Sequence, residues 1–111
     1  MFNKFKYILK RKKRFMDKTD IDIEALKKMQ RMGAIIVDVR SPQEYSEGHL
    51  DGAILLSEYE VNKKYKNYLK DKEEKIVVYC SSGVRSKKAQ KSLIKKGYVN
   101  VYNLYNGIEN Y

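Results

Sequence analysis

Short runs of Val, Ile and Leu, alternating along the chain with helix-patterned stretches, constrain the fold more than any other feature of this sequence. Residues 34–39, 53–56, 76–79 and 99–104 read as buried strands, too short and too apolar to alternate in and out of solvent. Between them, Asp22 is a cap for a helix running to about Met29, with Gly33 closing the connection. Ser41-Pro42-Gln43-Glu44 carries three agreeing helix-start signals: a capping serine, a proline for the first turn and a glutamate to complete a capping box. Gly48 keeps that helix short. Residues 58–70 suit an amphipathic helix, and residues 85–96 suit another with Ala89, Leu93 and Ile94 turned inward and Gly97 ending it. Strand after helix after strand predicts an α/β domain, a mostly parallel central sheet with helices on both faces.

The chain's 111 residues are enough for one such domain. Its net charge of +10 is concentrated at one end: seven basic residues and no acidic one precede Asp17, leaving the remainder at +3. Nucleic-acid binding by the folded part therefore gains little support. Residues 1–18 read as a basic leader and residues 19–111 as the domain. Phe2, Phe5 and Leu9 could share one side of a helix, so a membrane-surface contact through residues 1–16 stands beside the simpler reading of a solvated arm, which is favoured. Neither a secretory signal nor a membrane-spanning run is expected.

A single cysteine allows no internal disulfide, and the spacing of a zinc site is absent. A free thiol suits a reducing, cytoplasmic setting. Cys80 falls at the end of the third strand, and ligands of parallel sheets bind just beyond that edge. Alone, it would read as a small buried hydrophobe. The segment Cys80-Ser81-Ser82-Gly83-Val84-Arg85-Ser86, set between strand and helix, reads differently. A short loop can turn consecutive N–H groups inward as an anion nest, and Gly83 admits a conformation that a side chain would oppose. The following helix presents its positive end, which favours thiolate, the nucleophilic form. Arg85 adds a fixed cation.

The sequence resembles the rhodanese family, and in particular its one-domain thiosulfate sulfurtransferases. The resemblance rests on Asp38-Val39-Arg40, on Glu44-Tyr45 leading to Gly48-His49-Leu50-Asp51-Gly52-Ala53, on Val77-Val78-Tyr79-Cys80 with its loop, and on Gly97-Tyr98 followed by 101–107. It implies a rhodanese-like domain in which Cys80 carries sulfane sulfur as a persulfide. Ser81, Ser82, Gly83, Val84, Arg85 and Ser86 would bind the substrate, a small anionic sulfur donor, with cyanide, a thiol or a sulfur-accepting protein as recipient. It implies no metal and no cofactor. An alternative is a relay module that takes sulfur from a protein partner without turnover, and a third reading is a membrane-surface adaptor.

Related domains that act as phosphatases or arsenate reductases hold five residues between Cys and Arg. Four intervene here, which counts against phosphate. Ser81 and Ser82 stand where many thiosulfate-active relatives have a basic or larger polar residue, and Asn106-Gly107 stands for a usual Gly-Gly pair. A closing helix is expected to be reduced to a stub or missing. His49 is expected to serve its turn rather than act as a base, since a thiolate in a nest needs none. Asp38 and Arg40 are expected to be structural, with Arg40 pairing to Glu44 or Glu47. The tyrosines are expected in the core and at its rim.

Overall fold

The computed structural model describes residues 17–111; the proposed membrane contact of the leader falls outside them. Strand β1 (Asp20–Ile21) leads to helix α1 (Ile23–Arg31), β2 (Ile35–Asp38), α2 (Pro42–Glu47), β3 (Ile54–Leu55), a 3-10 turn at Glu58–Glu60, α3 (Val61–Tyr68), β4 (Ile76–Tyr79), α4 (Val84–Lys95), β5 (Val101–Leu104) and a last 3-10 turn at Ile108–Asn110. The five strands form one sheet in the order β1-β5-β4-β2-β3, and every pairing is parallel. The α/β expectation holds. The two-residue β1 carries no periodicity that sequence reading could detect, and it enters the sheet beside β5, Asp20 opposite Asn103.

Strand β4 lies at the centre and is wholly buried. Its alternate side chains feed two cores. Ile76, Val78 and Cys80 join Val37, Leu93 and Tyr98, while Val77 and Tyr79 join Leu26, Ile36 and Leu104. Each such side chain contributes roughly 1.5–3 kcal/mol of burial, which is why a four-residue strand can hold a fixed position. Both caps read from the sequence are present: Asp22 accepts from the Ala25 N–H, and Ser41 and Glu44 form a reciprocal capping box.

Ile94 differs from expectation. It is half exposed, because Ser86, Ala89, Gln90 and Leu93 define the buried face of α4 and a position one residue past Leu93 turns to the rim. Tyr59 and Tyr68 are likewise exposed, whereas Tyr79 and Tyr98 are buried. The chain ends in a single 3-10 turn, the expected stub. No helix among the described residues is long and apolar enough to cross a membrane.

Candidate active site

Two strand-to-helix turns meet at the carboxyl edge of the sheet, because β2 and β4 are neighbours in register, Asp38 opposite Tyr79. The turn after β4 carries Cys80. Its Sγ receives the Gly83 N–H at 3.1 Å and the Ser86 N–H at 3.3 Å, and lies 3.4 Å from Ser86 Oγ. Gly83 has φ of 96° and precedes α4 as its N-cap, with no side-chain cap on that helix. The first N–H groups of a helix lack internal partners, so here a sulfur atom takes them. Cys80 itself is fully buried beneath the loop.

The loop is held from two sides. From one, Arg85 Nη1 and Nη2 grip the Glu44 carboxylate at 2.6 and 3.0 Å, and Ser81 Oγ donates to the same carboxylate at 3.1 Å. The Arg85 hydrogen bonds, followed by the Ser41 N–H, hold the Glu44 carboxyl well below the usual carboxylate range. From the other, the C-terminal turn donates from the Ile108 N–H to the Cys80 carbonyl at 2.9 Å and from the Glu109 N–H to the Ser81 carbonyl at 3.1 Å. Gly107 makes that approach feasible: its φ is +76°, and a Cβ there would overlap the Ser81 carbonyl. This close contact gives a local reason for glycine at the second position of Asn106-Gly107.

The neighbouring turn is closed by its own side chains. Asp38, fully buried, accepts from the Arg40 N–H at 2.9 Å, from Arg40 Nη2 at 2.7 Å and from the Tyr79 hydroxyl at 2.7 Å. Burial pushes the Tyr79 hydroxyl's pKa up, so it stays a donor. Arg40 therefore pairs with Asp38, not with Glu44 or Glu47; Glu44 is already engaged by Arg85. His49 stacks on Tyr45 with ring centroids 3.7 Å apart, and its Nδ1 lies 2.8 Å from the Tyr45 carbonyl. These contacts are within its own turn, as expected.

Of the residues assigned to the site by sequence, Gly83 and Ser86 present their N–H groups to the sulfur, Arg85 and Ser81 brace the loop through Glu44, and Ser82 and Val84 are exposed at its outer rim. Glu44 was legible as a cap and as a candidate partner of Arg40, not as the partner of Arg85. Its 41-residue separation from Arg85 leaves no local signal of the pairing.

A cysteine cradled by main-chain donors, at the carboxyl edge of a parallel five-stranded sheet, defines a class of α/β domain built around one cysteine-bearing loop. The model of the rhodanese-like domain matches residues 22–111, and the chain belongs to that family. It is 36% identical over 77 residues to the thiosulfate sulfurtransferase GlpE of Pseudomonas entomophila, covering 69% of each protein. It is 34% identical over 88 residues to the tRNA uridine(34) hydroxylase of Bacillus cytotoxicus, covering 75% of this chain but only 27% of that longer protein. Among solved structures, a rhodanese with anions from E. coli superposes with a TM-score of 0.65 at 30% identity, covering 71% of this chain and 92% of the other.

Proposed function

We propose that the protein is a sulfurtransferase that moves sulfane sulfur from thiosulfate or a persulfide to a thiol or cyanide acceptor through a persulfide on Cys80. The observation that carries this reading is the convergence of the Gly83 and Ser86 N–H groups on Sγ at the start of α4. Such donors and the helix's positive end stabilise a sulfur anion, the form that attacks. The Cys80 thiolate attacks the outer sulfur of thiosulfate, the S–S bond breaks, and sulfite leaves with the bonding pair. The terminal persulfide sulfur then passes to cyanide or to an acceptor thiolate, and Cys80 returns as thiolate. No net oxidation occurs and no redox partner is required. Similarity to GlpE, over two thirds of both chains, supports the same chemistry. Ser81 to Ser86 bind and frame the anionic group, and Arg85 acts by orienting the loop through Glu44. A reducing, cytoplasmic setting would keep the single thiol free.

A second reading is a relay module that accepts sulfur from a protein partner with little turnover. It is favoured by the larger proteins in which a similar segment forms about a quarter of the chain. Intact mass after thiosulfate treatment tests the shared step: wild type gains one sulfur, ~32 Da, and Cys80→Ser gains none. Absence of that gain in wild type, after thiosulfate and after a small-molecule persulfide alike, would refute the first reading and leave sulfur to come only from a protein donor. Steady-state sulfite release with cyanide then separates turnover from stoichiometric loading.

A further inference from the structure

The cations around the cysteine loop are already committed to carboxylates. Arg85 holds Glu44 through both terminal nitrogens, at 2.6 and 3.0 Å, and the Ser81 hydroxyl donates to the same carboxylate. Lys87, the next basic residue of α4, lies 3.0 Å from both Asp17 and Asp20. Arg40, in the neighbouring turn, is bound to buried Asp38. Ser82 and Val84, exposed at the rim, are uncharged. On the other side, exposed Glu109 is fixed beside the loop by its main-chain bond to the Ser81 carbonyl. The next lysine of the helix, Lys88, stands a full turn further along α4 than Val84, about 6 Å away along the axis.

What the loop offers an anion is therefore main-chain donors: the Gly83 and Ser86 N–H groups at Sγ and the positive end of α4. A helix end carries roughly half an elementary charge, which suits one negative charge and leaves a second unmatched. Thiosulfate brings two. Resting on the sulfurtransferase reading, we infer that the donor this site is built for carries at most one negative charge, an organic persulfide in place of thiosulfate. Glu44 sets the preference by occupying Arg85. The Cys80 thiolate attacks the outer sulfur of R–S–SH, the S–S bond breaks, and R–S⁻ leaves with the bonding pair and takes a proton from solvent. Cys80 keeps the transferred sulfur and its hydrogen as Cys–S–SH, so no oxidant is needed.

Methanethiosulfonate isolates charge: its outer sulfur is transferred by the same displacement, methanesulfinate leaves, and it carries one negative charge where thiosulfate carries two. Loading of Cys80 is followed by intact mass, and each rate is divided by that of the same donor with a small free thiolate. In wild type the normalised rate for methanethiosulfonate should exceed that for thiosulfate by roughly an order of magnitude. A small alkyl persulfide should rank with methanethiosulfonate. Ser82→Lys adds an uncommitted ammonium at the rim. Coulomb energy scales with charge, so roughly tenfold faster loading from thiosulfate should accompany only about threefold from methanethiosulfonate. Glu44→Gln slows both by loosening the loop, and slows methanethiosulfonate the more, because the released Arg85 favours the dianion. Equal normalised rates in wild type, or equal responses of both donors to Ser82→Lys, overturn the inference and leave the sulfurtransferase reading standing. Sulfur gained from none of the three donors overturns the inference together with the small-molecule reading beneath it.

Discussion

The two turns at the carboxyl edge of the sheet, one after β2 and one after β4, start from the same problem and solve it differently. Each must end a buried strand and begin a helix whose first N–H groups have no partner inside the helix. After β2 the chain supplies everything itself: Ser41 and Glu44 cap α2, and Asp38 gathers Arg40 and Tyr79. After β4 no side chain caps α4, and its free donors face a sulfur atom. A helix start completed by side chains is a structural joint. One left open onto a cysteine sulfur keeps the donor arrangement that suits an anion. Glu44 ties the two together, capping the first turn and clamping Arg85 in the second.

The largest effect should come from the residue that lets the C-terminal turn close on the open loop. Gly107→Ala places a Cβ into the Ser81 backbone at a positive φ, so either the loop or the tail must move. We expect a stability loss of about 3 kcal/mol and roughly a hundredfold slower sulfur loading, measured by denaturant unfolding and by mass after thiosulfate. Loading at the wild-type rate would show that the tail does not shape the loop.

Next is the closed turn. Tyr79→Phe removes the hydroxyl that donates to Asp38 and accepts the Leu50 N–H at 3.0 Å. Stranding these buried groups should cost about 1–3 kcal/mol. The Cys80 loop keeps its own contacts, so loading of the folded protein should stay near wild type. A large loss of loading without unfolding would erase the distinction between joint and site.

These two substitutions also mark what the sequence can disclose. The capping box, the buried strands and the position of Cys80 at a strand end were all legible, because each depends on residues within a few positions of one another. Two-residue β1, the Arg85–Glu44 clamp and the contact of Gly107 with Ser81 were not. Their partners lie 26 to 83 residues apart and meet only once the sheet order is set. Ile94 was misplaced for a related reason: which stripe of α4 meets the sheet is set only on docking, and with Ser86, Ala89, Gln90 and Leu93 turned inward position 94 falls at the rim.

The link itself comes third. Glu44→Gln keeps a capping side chain but removes the charge that holds Arg85. Arg85 is 37% exposed, so solvent screens the pair and about 1 kcal/mol is expected, together with severalfold slower loading. Because the folded carboxyl titrates below its unfolded value of about 4.3, this contribution is complete above that pH and lost as pH falls beneath it. The stability gap between wild type and Glu44→Gln should be flat from neutral pH to about 5 and close below about 4. A gap that persists in acid would assign the effect to shape rather than charge.

The smallest effect belongs to the opposite side of α4. Arg85 and Lys87 lie two residues apart, so they leave the helix on nearly opposite faces, and Lys87 is held by Asp17 and Asp20 as Arg85 is by Glu44. A hydrogen bond from Thr19, with help from Lys87, lowers the Asp17 carboxyl to about 2. Asp17 is 55% exposed, though, and Lys87 keeps Asp20 when Asp17 is gone. Asp17→Asn should therefore cost only a few tenths of a kcal/mol at neutral pH. That difference should be present above the unfolded value of about 3.9 and vanish as pH falls toward 2. Sulfur loading should not change, because the open helix start faces Cys80 and is fixed by Glu44 and the C-terminal turn. If Asp17→Asn slowed loading as much as Glu44→Gln, the loop would depend on both braces alike, and the single tie between the two turns would lose its special place.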